Sequence, residues 1–307
     1  MSGALRVGTR GSPLARAQAN EVIAQLGRTQ PDIQTEMVVV TTHGDEGYRS
    51  DLGTSLDGKR AFTKRIEEAL LEDRIDVAVH SLKDVPTEPV YGLVLAAVPP
   101  RADPRDVLVA SEPRALIDLP AGTRVGTSSL RRRAQLLALR PDLDIVELHG
   151  NVGTRLRSLE AKDLDAVVVA AAGLHRLGVT RPHIEPIDPD LVTPAPGQGA
   201  LAVQTRADDS RANRLITGIE DPLARRAVDV ERALSAAIGG GCNVPFGALA
   251  TFAKGGIDLR AVVASADGSR IVRASVREPA ADGKNAVAEA TRRLQDGGAR
   301  EILEGVA

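Results

Sequence analysis

With 307 residues, 43% of them hydrophobic, and a formal net charge of −2, the chain can bury two or three domain cores and has no charge excess calling for nucleic acid or an anionic membrane. Aromatic residues make up 2%, too few to stack on single-stranded bases. A single Cys excludes an internal disulfide and a cysteine-based metal site. The basic residues are Arg except at Lys59, Lys64, Lys83, Lys162, Lys254 and Lys284. A GC-rich genome explains that bias, and so does a ligand whose carboxylates or phosphates are gripped in bidentate fashion. The N-terminal MSGALRVGTRGSPLARAQ has no signal-type apolar stretch, and the longest apolar run, Ala166 to Leu174, is too short to span a bilayer. A soluble cytoplasmic protein is expected.

In chain order, Leu5 to Gly8 reads as a strand, and Ser12-Pro13 as the N-cap and first turn of a helix reaching Leu26. Met37 to Thr42 is a second strand. His43 to Lys59, rich in Gly, Asp and Ser without apolar periodicity, is expected to be a mobile loop. Phe62 to Glu72 reads as an amphipathic helix and Ile75 to His80 as a strand buried on both faces. The order then recurs: a strand at Arg124 to Gly126, a helix from Ser128/Ser129 through Leu139, a strand at Ile145 to Leu148, a helix at Val152 to Leu159 and a buried strand at Ala166 to Ala170. Arg6-Val7-Gly8-Thr9 matches Arg124-Val125-Gly126-Thr127, His43-Gly44-Asp45 matches His149-Gly150-Asn151, and both first helices continue to Ala-Gln.

Two similar α/β lobes with parallel sheets are therefore expected, hinged at the Pro/Gly-rich connections near Pro99 and Pro194 to Gly199, with a cleft at the carboxyl ends of the strands. This is a type II periplasmic-binding-protein-like arrangement. Leu201 to Gln204 reads as a strand returning to the first lobe. From Asp221 the pattern changes to a helix over Pro222 to Ala237, strands at Leu249 to Phe252, Ile257 to Ala264 and Ile271 to Val276, and helices at Ala286 to Leu294 and Ala299 to Leu303. The expected division is residues 1–99 with 200–217, residues 104–194, and a small α+β domain with an antiparallel sheet over 221–307.

Thr127-Ser128-Ser129-Leu130-Arg131-Arg132-Arg133 sits where a strand gives way to a helix, so unpaired N–H groups, hydroxyls and guanidiniums converge on an anion. A capped surface helix is the plainer alternative, but Arg at a helix start opposes the dipole. Arg10 and Ser12 hold the equivalent place in the first lobe, and Arg155 opens the helix after Gly150-Asn151. In His80-Ser81-Leu82-Lys83-Asp84-Val85-Pro86, Asp84 is either a turn carboxylate or a group that stabilises a cation or transfers a proton, while His80 reads as structural. Cys242 follows Gly239-Gly240-Gly241, a backbone that suits close approach to a thiol better than burial of it. Phosphate-loop, dinucleotide and zinc spacings are absent. A two-lobed module binding a polycarboxylate, and a phosphate-ester enzyme, are the competing readings.

The segments VGTRGSPLARAQ, VHSLKDVP, DPRDVLV, GTSSLRRRAQL, HGNVGTRL, AAAGLHRLG, PAPGQGAL and GGGCNVPFGA together resemble the porphobilinogen deaminase (hydroxymethylbilane synthase) family. The resemblance covers residues 6 to about 248, and beyond that only the layout matches. It implies a transferase that joins four porphobilinogen units, each losing ammonia, on a dipyrromethane primer thioether-linked to Cys242. It implies Asp84 as the essential carboxylate with Lys83 and Ser81 beside it. Cofactor contacts fall on Ser81, Lys83, Thr127, Ser128, Ser129, Arg131, Arg132, Arg155 and Gly199. Substrate contacts fall on Arg10, Ser12, Gln18, Phe62, His149, Arg155, Arg176 and Gln198. A monomer that hands its product to the next enzyme is implied as well. Three positions depart from the family's usual residues: His149 replaces an Arg, Ile238 precedes the Gly run where Glu is common, and Arg60-Ala61 replaces Gly-Leu.

Overall fold

The repeated letters mark a repeated piece of architecture. The structure is a computed structural model and describes residues 3–41, 56–161, 163–181, 183–239, 244–253, 255–279 and 283–305, with 56–62 as backbone only. In chain order the elements are β1 (Leu5–Thr9), α1 (Pro13–Thr29), β2 (Thr35–Val39), α2 (Leu56–Leu71), β3 (Val77–Ser81), β4 (Leu93–Ala97), β5 (Asp106–Ala110), β6 (Arg124–Gly126), α3 (Leu130–Leu139), β7 (Asp144–Val146), α4 (Val152–Glu160), β8 (Ala166–Ala170) and α5 (Ala171–Arg176). They continue with β9 (Ile184–Pro186), β10 (Leu201–Arg206), α6 (Ser210–Thr217), α7 (Pro222–Ile238), β11 (Phe246–Ala253), β12 (Gly256–Ala264), β13 (Ile271–Glu278), α8 (Lys284–Asp296) and α9 (Ala299–Glu304). None of the described helices is long and apolar enough to cross a membrane.

The chain divides into two units, Met1–Ala102 with Gly199–Arg226, and Asp103–Gln198 with Ala227–Ala307. The first unit holds one five-stranded sheet in the order β2-β1-β3-β10-β4. Its central strand β3 is buried on both faces: Val77 and Val79 pack with Val22, Leu26 and Ile216 on one side, and Ala78 packs with Ile66, Leu70 and Ile75 on the other. The second unit holds the sheet β7-β6-β8-β5-β9 and a separate antiparallel sheet β11-β12-β13. Ala166 and Val168 again face one core and Val167 and Val169 the other. The α/β class expected from sequence holds, but the two larger sheets are mixed. β10 runs antiparallel to β3 and β4, and β5 runs antiparallel to β8 and β9.

The letter repeat has a physical cause. Asp76 accepts the Arg6 backbone N–H at 2.8 Å and pairs with its guanidinium at 2.6 Å, so residues preceding β3 are locked to β1. Asp165 likewise accepts the Arg124 N–H at 2.8 Å, locking the start of β8 to β6. Gly8 and Gly126 are glycines because a β-carbon there would lie 2.3 Å from Ile75 Cδ1 and 2.5 Å from Leu164 Cδ1. The buried positions of α1, Ala15, Gln18, Ala19, Val22 and Leu26, follow the helical period. Helix α2 starts at Leu56, six residues before the expected Phe62, so residues 56–59 are helical. The rest of the expected loop, through residue 55, lies outside the described residues.

Candidate active site

In the first unit, the carboxyl end of β3 passes into a single 3-10 turn, Leu82–Asp84. Val85 N–H closes that turn on the Leu82 carbonyl, and Leu82 N–H is held by the Ala200 carbonyl at 3.0 Å. Asp84 is thereby carried to one wall of a pocket that it lines with Arg10, Ser12, Gln18, His80 and Ser81. Ser12 caps α1, its Oγ accepting the Ala15 N–H at 3.2 Å, as the Ser-Pro signature predicts. The Gln18 amide donates to Ser81 Oγ at 2.8 Å, bridging α1 to β3 across the pocket floor. His80 is 5% exposed. Burial dominates its ionisation and, with Arg10 adding to it, pushes the imidazole down to about 4 against the opposing pull of Asp84 and Gln204. The pocket thus combines one guanidinium, one carboxylate and an imidazole that is neutral at pH 7. Lys83 adjoins Asp84 in the turn and is half-buried.

In the second unit, Ser129 caps α3, accepting the Arg132 N–H at 3.4 Å, and the buried Thr127 Oγ1 accepts the Ser129 N–H at 3.2 Å. Arg131 and Arg132, expected from sequence to converge on a bound anion, are engaged by a carboxylate of the chain itself. Both are buried, and both engage Asp106, the first residue of β5, which is fully buried opposite Ala170 at the carboxyl end of β8. Arg132 donates through Nε and Nη2 to Oδ1 at 3.0 and 2.8 Å, and Arg131 Nη1 stands 2.7 Å from Oδ2. Burial alone would raise the Asp106 carboxyl, but the charges of the two arginines outweigh it and hold it well below the usual carboxylate range. Gln198 reaches the same carboxylate, donating to Oδ1 at 2.8 Å. Gly199 follows with φ +86, a backbone that favours glycine where the chain re-enters the first sheet.

Arg155 donates through Nε to the Gly150 carbonyl at 3.0 Å and through Nη2 to Ser128 Oγ at 2.9 Å. Burial, seconded by the charge of Arg132, holds its guanidinium down to about 10, with no acidic partner among the described residues to offset either. A cation so placed suits an acidic ligand. His149 is exposed and its Nε2 lies 3.0 Å from Glu147. Arg176 closes α5 and is half-buried. Cys242 and the Phe62 side chain lie outside the described residues. Sequence reasoning missed Asp106 as a partner of these arginines. Its only signal was an Asp directly ahead of an apolar run.

Residues 5–214 match the family model "Porphobilinogen deaminase, dipyromethane cofactor binding domain", and residues 226–294 match "Porphobilinogen deaminase, C-terminal domain". Curated relatives carrying the name porphobilinogen deaminase include those of Rubrobacter xylanophilus, 47% identical over 99% of this chain and 97% of its own length, and Roseiflexus sp., 46% identical over 99% and 100%. That of Syntrophobacter fumaroxidans is 43% identical over 98% and 97%. Among solved structures, the methionine-binding protein MetQ superposes with a TM-score of 0.43 at 16% identity, covering 75% of this chain and 93% of its own, a likeness too loose to argue from. With both domain models matched in order and relatives aligned along nearly its whole length, the chain belongs to the porphobilinogen deaminase family.

Proposed function

We propose that the chain carries out its family's reaction with Asp84 as the carboxylate that stabilises the developing cation. As a porphobilinogen deaminase it is a transferase that joins porphobilinogen units head to tail, with loss of ammonia, into hydroxymethylbilane on a dipyrromethane cofactor. The observation that carries the assignment is the pocket gathering Asp84 with Arg10, Ser12, Gln18 and Ser81. Loss of ammonia leaves positive charge on the substrate's pyrrole ring, and a fixed carboxylate beside that ring lowers the barrier. His80, neutral at working pH, adds no opposing charge beneath it. Arg10, Ser12 and Gln18 offer donors to the substrate's acid side chains, and we assign Phe62, His149, Arg176 and Gln198 to the substrate site as well.

The second unit fits an acidic cofactor, since Arg155 is partly desolvated with no acid beside it among the described residues. Thr127, Ser128, Ser129, Arg131, Arg132 and Arg155, with Ser81, Lys83 and Gly199, are the residues we assign to hold it, and Cys242 is its assigned point of attachment. When bound, dipyrromethane supplies the pyrrole carbon to which the first substrate unit is joined. A cytoplasmic monomer passing its product onward completes the reading, and a sedimentation mass of two chains would remove the monomer from it.

The test is Asp84→Asn measured beside Cys242→Ser. Intact mass should show two linked pyrrole units on wild type and on D84N, and none on C242S. D84N turnover should fall at least about 100-fold. Turnover within a few-fold of wild type in loaded D84N would displace Asp84 from its role.

A further inference from the structure

Asp106 belongs to no role assigned so far, yet it is the carboxylate on which the second unit's buried arginines converge. Its Oδ1 accepts three N–H groups, two from Arg132 and one from Gln198. Among the described residues, Oδ2 has only the 2.7 Å ion-pair contact with Arg131, off the direction of a well-formed hydrogen bond. Both arginines have a second anchor: Arg131 donates from the same Nη1 to the Thr193 carbonyl at 2.7 Å, and Arg132 donates from its other edge, through Nη1, to the Val168 carbonyl at 3.0 Å. Gln198 donates in addition to the Pro104 carbonyl at 2.8 Å. One carboxylate thus sets the attitude of two guanidiniums and ties them to both ends of the lobe's chain, at Pro104 and at Gln198.

The charge count separates this cluster from an ordinary buried ion pair. Side-chain exposure is 6% for Arg131, 5% for Arg132 and 0% for Asp106. Two cations share one anion, and Arg155 adds a third cation near enough for Arg132 to oppose its charge. A buried cluster with surplus positive charge is unfavourable unless something acidic completes it. Of the five N–H donors on each guanidinium, three on Arg132 and one on Arg131 make hydrogen bonds among the described residues, and Arg131 adds its ion-pair contact with Asp106.

We infer that Asp106 is a positioning residue for ligand carboxylates: it orients Arg131 and Arg132 and neutralises one of their two charges, so that the surplus charge is aimed before the ligand's acid groups arrive. This rests on the reading that those arginines meet ligand carboxylates. Misplacing such a pair by even an ångström can cost up to about 100-fold in rate.

The experiment uses Asp106→Glu, which keeps the charge and displaces it by one methylene, and Asp106→Asn, which removes it. Each is compared with wild type as unloaded chain, made without a porphobilinogen supply, and as loaded enzyme. Loading is expected to raise the melting temperature of wild type, less so that of D106E, and least that of D106N. KM for porphobilinogen on loaded D106E is expected to rise about tenfold or more. If both variants lose the same melting temperature loaded and unloaded, with KM unchanged, Asp106 is merely structural and the proposal is overturned. D106E carries the test if D106N does not fold. Arg132→Lys distinguishes the two levels. If R132K loads, melts and turns over as wild type does, the reading beneath the proposal fails and the proposal with it. If R132K is impaired while both Asp106 variants behave as wild type, only the positioning role fails.

Discussion

His80 should make the protein sensitive to mild acid. Its imidazole is buried, and its value is held near 4 where a free histidine stands at 6.5. Between those values the unfolded chain binds a proton that the folded chain refuses. The contribution is therefore fully present above pH 6.5 and is lost progressively as pH falls toward 4. Linkage over that interval removes about 2 kcal/mol between pH 7.5 and 5. Asp84 and Gln204 favour the cation and Arg10 opposes it, so all three belong to the balance. His80→Gln takes the titrating group away. Urea unfolding of wild type and H80Q at pH 7.5 and 5.0 should show wild type losing about 2 kcal/mol more than the variant over that interval. An NMR titration of the five histidines should show one ring, absent in H80Q, still neutral at pH 5. Equal stability losses in the two proteins, or a His80 ring that titrates near 6.5, would refute the reasoning.

Two further outcomes follow from contacts described above. Gly8→Ala places a methyl 2.3 Å from Ile75 Cδ1 and should cost about 1–3 kcal/mol, while Ile75→Val deletes the clashing atom. The double variant G8A/I75V should be more stable than the sum of the singles by about 1 kcal/mol, and simple additivity of melting data would count against the packing argument. Arg155→Lys keeps the charge but cannot bridge Ser128 and Gly150 at once, so kcat/KM should drop about tenfold, and unchanged kinetics would show that charge alone suffices.

How much of this could be read from letters varies with the physics involved. The caps at Ser12 and Ser129 were legible because capping is a local bond between a hydroxyl and an N–H three residues on. The return of Leu201 to Gln204 to the first lobe was legible as a short buried run, but its direction was not, since a two-residue period is the same in parallel and antiparallel strands. Strand β5 escaped notice because four apolar residues behind Asp-Pro-Arg give too short a signal. The start of α2 was hidden by Gly58, which weakens the helical pattern that the structure nonetheless adopts. Repeated letters also do not guarantee repeated use. Gln18 donates to Ser81, whereas its counterpart Gln135 accepts the Thr193 N–H at 2.8 Å and donates back to the Thr193 carbonyl at 3.1 Å. The Asp106 cluster was out of reach because Arg132 and Gln198 lie 26 and 92 residues from Asp106 in the chain.

The place of β10 in the first sheet bears on how the chain is made. β3 pairs with β1 and β10, and β4 pairs, among the described strands, with β10 alone. Until residues 201–206 leave the ribosome, β3 has an open edge and β4 lacks that partner. Roughly 100 residues separate the two emergences, a wait on the order of 5–20 s at ordinary rates of synthesis. The nascent first lobe spends that interval as an incomplete sheet with a hydrophobic edge exposed, the state that chaperones bind and that truncated chains cannot leave.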